Sequence, residues 1–197
     1  MAREGLWVQV PPGVLERSKM NIFVVDESPE KAAEALCDKH VPKMIVETTQ
    51  MLVSALRRHG ATDADVPLTK AGTPHKGGYH NHPATRWVGD SLTNAQWLLA
   101  HGYGLCEQFE FRFNKTHACY EQLVNVESTL ARIPDHGLTD IALCVGEKLQ
   151  NGRTHAPIAE AVDTYRNFYI IDKADFAKWE KGCNAPIWWG SVLDTYL

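Results

Sequence analysis

Three side chains in the stretch LCDKHVPKMIVETTQML combine the types and spacing that chemistry needs: His40, Lys43 and Glu47. Separations of three and four residues bring side chains together on one face of a helix. A carboxylate placed there can move a proton or stabilise a developing cation, and an amine beside it can act as a nucleophile. Taken on spacing alone, the stripe is only a solvated face with an ordinary Lys43–Glu47 ion pair, worth about a few tenths of a kcal/mol.

Two more groups carry candidate contacts. The loop PHKGGYHNHPATRW sets His75, Lys76, His80, His82 and Arg86 around two glycines, giving mobile donors suited to a phosphate or another anion. His80 and His82 are also metal-ligand types, but no cysteine or carboxylate stands at zinc-ligand spacing, so anion contact ranks above a metal and no metal or cofactor is expected. A polar surface loop with Pro83 opening the next helix accounts for the same residues. In DTYRNFYIIDKADFAKW, aromatics alternate with cations. Tyr165 and Arg166 fit base stacking and phosphate contact, whereas Phe168 and Trp179 read as core.

The elements that must position these groups are mostly helical. Met20 opens an apolar run, MNIFVV, that suits a brief strand or extended segment. Ser28-Pro29-Glu30 supplies an N-cap, a proline at the first helical position and an acid in the first turn, predicting a helix from about Pro29 to Asp38. Pro42 forces a kink or a restart near His40 to Val41. From Lys43 to Arg58, Met44, Ile45, Thr48, Met51, Leu52 and Ala55 share one side of a helix, while Lys43, Glu47 and Gln50 share the other, joined by His40 if the helix is kinked and not broken. Residues 59–83 have no apolar period and read as a long loop. Leu92 to Phe113 recurs at helical spacing, with Gly102 and Gly104 as an expected weak point. Residues 114–156 look looser around a short apolar run, Ile141 to Val145. The stretch that opens with Pro157 reads as one or two helices, and the aromatic tail PIWWG as a docking segment. The expected fold is mainly α: one compact helical domain over 20–197, with 1–19 as a leader or alternative N-terminal extension.

Composition sets limits on function. A chain of 197 residues with 44% hydrophobic and 22% charged residues can bury one sizeable core, which excludes a disordered protein. No run approaches the roughly 18 apolar residues of a membrane span, and the first residues lack the apolar stretch of a secretory signal. Five cysteines form no C-x-x-C pair, so reduced thiols in a cytosolic setting are expected. A net charge of −4 means that any grip on nucleic acid has to come from a local basic patch.

MNIFVVD, CDKHVPKMIVETTQML and NHPATRW, followed by YRNFY and KADFAKW, together resemble a family of small proteins of tailed phages. More distantly they resemble the pyrimidine-dimer DNA glycosylases, compact α-helical repair enzymes. In those enzymes a short extended N-terminus leads into a helix carrying D-x-H, with a catalytic glutamate seven residues after the histidine. Asp38-Lys39-His40 and Glu47 repeat that spacing, and His82-Pro83-Ala84-Thr85-Arg86-Trp87 resembles an element of bacterial members. Two differences stand out. Family enzymes attack the sugar with an N-terminal amine, whereas 19 residues precede Met20 here. They also carry arginines immediately before and three residues after the glutamate, where this chain has Val46 and Gln50.

The resemblance implies a phage enzyme, in the cytoplasm of the infected bacterial host, that flips a pyrimidine nucleotide out of DNA and processes it. Glu47 would be its catalytic carboxylate, His40 a substrate contact or orienting group, and Lys43 an amine nucleophile or phosphate contact. His80, His82, Arg86, Trp87, Tyr165 and Arg166 would hold nucleic acid or phosphate. Two other readings stay open: a transferase attaching an amino acid or amine to an activated 5-hydroxymethyl pyrimidine in DNA, and a non-enzymatic binder of a host factor or nucleotide signal.

Overall fold

The computed structural model describes residues 20–190, so the expectation of a leader over 1–19 lies outside the described residues. The described residues open with a buried segment, Met20 to Val25, that joins no sheet. Asn21 fixes its course: Oδ1 accepts from the N–H of Ile22 (2.8 Å) and Phe23 (3.2 Å), and Nδ2 donates to the carbonyl of Cys144 (2.8 Å). Phe23 adopts φ 57°, the left-handed region that costs a non-glycine residue about 1–2 kcal/mol.

Helix α1 spans Pro29–Glu34, with Ser28 accepting from the N–H of Lys31 at 3.3 Å. It stops short of the expected Asp38 because tertiary partners take the groups that another turn would use. Arg112 binds the carbonyls of Glu34 (2.8 Å) and Leu36 (2.7 Å), and the N–H of Cys37 donates to the Tyr169 hydroxyl (3.0 Å). The chain then restarts as α2, His40–Arg58. Pro42 falls in the first turn of α2, where its missing N–H has no intrahelical partner to lose.

The long loop over 59–82 follows, pinned by a bridge between Leu68 and Pro74. Helix α3, Pro83–Asp90, starts with a proline after His82, whose Nδ1 accepts from the N–H of Ala84 (3.3 Å). Extended Ser91 separates it from α4, Leu92–Phe113. Helix α4 packs against α1, α2, α3 and α5, Tyr120–Glu127. Gly102 and Gly104 are no weak point but close-approach positions. A Cβ on Gly102 would stand 2.8 Å from Thr48 Cγ2, and one on Gly104 3.0 Å from Ala33 Cβ. Between these helices Met44, Ile45, Met51, Leu52, Leu98 and Leu105 are fully buried, each contributing about 1.5–3 kcal/mol.

The looser stretch holds β1, Ile141–Ala142, a short α6, Glu147–Gln150, and β2, His155–Ala156, which pairs antiparallel with β1. Helix α7, Ile158–Lys173, returns along the core. The aromatic tail docks through α8, Ile187–Gly190, where the Trp189 ring meets Trp179 (4.9 Å) and Tyr169 (6.0 Å). The architecture is mainly α, as expected, and among the described residues no helix is long and apolar enough to cross a membrane.

Candidate active site

The first two turns of α2 bring His40, Lys43 and Glu47 onto one stripe, and this stripe is not a wet face. Glu47 is 6% exposed and His40 4%. Glu47 Oε2 accepts the backbone N–H of Asn21 at 3.1 Å, and Oε1 accepts from Lys43 Nζ. The Lys43 side chain remains 49% exposed, so the pair has a buried anion and an accessible amine. A carboxylate has about four acceptor positions, of which protein groups occupy two here.

His40 sits in an aromatic cage. Its ring stacks on Phe23 (4.8 Å, 14°) and meets Tyr169 and Phe176 edge-on. Nδ1 lies 2.7 Å from the Tyr169 hydroxyl. That hydroxyl already accepts the N–H of Cys37, so its own proton serves Nδ1 and the neutral imidazole keeps its proton on Nε2. Burial, followed by the charges of Lys173, Lys43 and Lys39, lowers the His40 pKa to about 3. The imidazole is therefore neutral at physiological pH and unsuited to cycling a proton there.

The lysines that depress His40 stand close to its aromatic neighbours. Lys173 Nζ stands 5.5 Å from the Phe23 ring and 5.0 Å from that of Phe168, beside Asp172, and Lys39 Nζ lies 4.4 Å over Phe176. Lys39, Lys43 and Lys173 thus lie around the His40 cage, Lys43 paired with Glu47 and Lys173 with Asp172, in a chain whose net charge is −4.

The other predicted contacts do not join this cluster. Trp87 is a correction: it is 1% exposed and its indole N–H donates to the carbonyl of Thr139 (3.4 Å), so it is core. Tyr165 is a second one, 1% exposed, its hydroxyl donating to the carbonyl of Ala142 (2.7 Å) and accepting from the N–H of Cys144 (3.0 Å). Both rings are packed inside the protein, with no face open to a base. Arg166 braces the N-terminal segment through the carbonyl of Val25 (2.8 Å) and Asp26 (3.5 Å). Half-buried His82 caps α3, and burial lowers its pKa. His80 and Arg86 are exposed on the surface. Among the described residues no group of three or more His, Cys, Asp or Glu converges as metal ligands would.

Sequence reasoning missed Asn21, Phe23, Lys39, Tyr169 and Lys173. Tyr169 stood inside a recognised motif without a role, while nothing in the spacing connects Phe23, itself in the left-handed region, to His40, 17 residues away.

A family model described as pyrimidine dimer DNA glycosylase matches residues 20–121, just over half of the 197-residue chain, and the chain belongs to that family. The match covers the extended N-terminal segment, α1 to α4 and Glu47, and ends in α5. No curated protein and no solved structure matches the chain. Membership implies an enzymatic role on DNA.

Proposed function

We propose that this protein is a DNA glycosylase-like enzyme acting on a pyrimidine nucleotide that it flips out of the helix, with Glu47 as the catalytic carboxylate. The observation that carries this reading is the Glu47 carboxylate itself, 6% exposed and held between the Asn21 N–H and the Lys43 amine. Chemistry on a base requires its extrusion from the stack, at a cost of about a few kcal/mol. Exposed Lys39, beside His40, adds positive charge of the kind that a backbone contact needs.

In this chain Lys43 is the amine within reach of Glu47, because the Asn21 nitrogen is a backbone amide and not nucleophilic. Glu47 takes a proton from the Lys43 ammonium, and the neutral amine attacks C1′ of the nucleotide. The bond from C1′ to the pyrimidine nitrogen breaks as a C1′–Nζ bond forms, and the base departs with its bonding electrons and takes up the proton that the new C1′–Nζ ammonium gives up. Glu47 then returns its proton to the ring oxygen as the C1′–O4′ bond breaks, leaving a protonated imine that hydrolysis resolves. His40 has an orienting role: it is neutral and holds Tyr169 and Phe23 beside α2.

Borohydride reduction during reaction with ultraviolet-irradiated duplex tests this, with peptide mapping of the trapped adduct. The expected result is free pyrimidine product and an adduct on Lys43, both lost in Glu47→Gln. An adduct on the α-amine of Asn21 would show instead that a chain starting there uses the same carboxylate. A mass gain on a 5-hydroxymethyl pyrimidine with a supplied amino acid would replace the reading by base modification, and binding without any change in the DNA would replace it by a non-enzymatic role.

A further inference from the structure

On α2, Lys43, Glu47, Gln50, Ser54 and Arg57 fall within an arc of about 80°. The stripe that holds the active-site pair therefore continues toward the C-terminus of the helix, and the long loop lies along that continuation. Arg57 donates to the carbonyl of His75 through Nε (3.1 Å) and a terminal nitrogen (2.8 Å). The Ser54 hydroxyl accepts the N–H of Gly78 at 2.8 Å and lies 3.0 Å from its carbonyl. Gly77 is so close that a Cβ would stand 2.3 Å from Ser54 Oγ, and a Cβ on Gly78 would meet Gln50 Cδ at 3.3 Å. The loop is thus seated on the helix, one to two turns beyond Glu47.

The next residue is Tyr79. It is 48% exposed, adopts φ 53°, and its ring meets no other ring among the described residues. Its carbonyl accepts the N–H of His82 (2.8 Å), which ties it to the start of α3. An exposed aromatic residue in the left-handed region gives up burial and carries strain, and such strain persists where the surroundings impose it, as at ligand clamps. Lys76 and His80 beside it are exposed. Gln50 and Ser54 lie about 5 and 10 Å from Glu47 along the axis, a span of about one to three stacked bases.

We propose that Tyr79 is a stacking platform for a nucleobase neighbouring the nucleotide held at Glu47. This rests on the reading of DNA as substrate. A ring face is sequence-tolerant, so Tyr79 would grip the strand without choosing the base.

The test is fluorescence-anisotropy binding of the full chain to a duplex bearing a tetrahydrofuran abasic analogue, over a series of salt concentrations. Tyr79→Asn is the informative variant, because Asn tolerates the left-handed backbone and removes the ring. It is expected to weaken binding roughly tenfold with an unchanged salt slope, since stacking releases no counterions. Tyr79→Phe and Tyr79→Trp should stay within about twofold of wild type, and 2-aminopurine placed beside the abasic analogue should be quenched by wild type and less so by Tyr79→Asn. Equal binding by Tyr79→Asn, or a loss in Tyr79→Phe as large as in Tyr79→Asn, overturns the stacking role while leaving the glycosylase reading standing. A wild-type protein that binds no duplex sinks both.

Discussion

Helix α2 begins beside one carboxylate–cation pair and carries another, and the two are built differently. At Asp38–Arg112 the arginine side chain is fully buried and all five of its N–H groups are used: on Asp38 (3.2 Å), on the carbonyls of Glu34 and Leu36, and twice on Gln108. Asp38 in turn accepts the N–H of Glu180 (2.7 Å). At Glu47–Lys43 the anion is buried, the cation is half exposed and the only other protein donor to the carboxylate among the described residues is a backbone N–H. The first pair is saturated and holds α1, α4 and the C-terminal stretch together. The second keeps unfilled acceptor positions on the carboxylate and an amine that is paired yet half exposed. A charge pair close in sequence to another is thus distinguished by what remains unspent on it.

The largest expected effect separates the pairs by function. Glu47→Gln should lower base release by roughly 10²–10⁴-fold, because a carboxamide cannot take the proton from Lys43. Its amide oxygen can still accept the Asn21 N–H, so the urea midpoint should move little. If Glu47→Gln instead unfolds the protein, the contrast between the two pairs collapses.

Arg112→Ala should do the opposite, costing about 3–5 kcal/mol of stability by leaving Asp38 and two carbonyls buried without their cation. Calorimetry or urea unfolding measures it, and a loss below about 1 kcal/mol would mean that the saturated pair is dispensable.

His40→Phe keeps a ring against Phe23 but strands the Tyr169 hydroxyl, for about 1–3 kcal/mol at pH 7. The pH dependence has a fixed sign. The His40 pKa falls from 6.5 in the unfolded chain to about 3 in the fold, and that of His101 to about 4, mainly through burial. Unfolding therefore takes up protons below about pH 6.5, so each histidine's contribution is whole above that value and declines as pH falls toward its folded pKa, by up to about 1.4 kcal/mol per pH unit. Urea midpoints at pH 7 and pH 5 should show wild type losing more than His40→Phe, and parallel losses would contradict the assignment.

The smallest effect concerns how closely α4 approaches α2. Gly102→Ala would push a methyl against Thr48, next to Glu47, and should cost about 1 kcal/mol after the gain in helix propensity. An increase in stability would show that the helices have room to give.

Much of this was legible in the residues. The 3.6-residue period marked the buried side of α2, Ser28-Pro29 marked the start of α1, and the three- and four-residue spacing put His40, Lys43 and Glu47 on one helix face. Trp87 and Tyr165 were misread because an aromatic beside a cation has the same local signature whether it stacks on a base or fills the core. Gly102 and Gly104 were misread because a glycine in a helix looks like a flaw until a neighbouring helix is seen against it.

By itself the sequence determined the long helices α2, α4 and α7 and the stripe that carries His40, Lys43 and Glu47, because periodicity and capping act over a few residues, whereas α5 and α6 lie in a stretch it left without helices. Only the tertiary structure decided that His40 and Glu47 are buried while Lys43 stays exposed, that Asn21 donates to Glu47 across 26 positions, and that Tyr169 and Phe23 enclose His40. Those contacts depend on where distant segments come to rest, and no local spacing encodes the packing that brings them together.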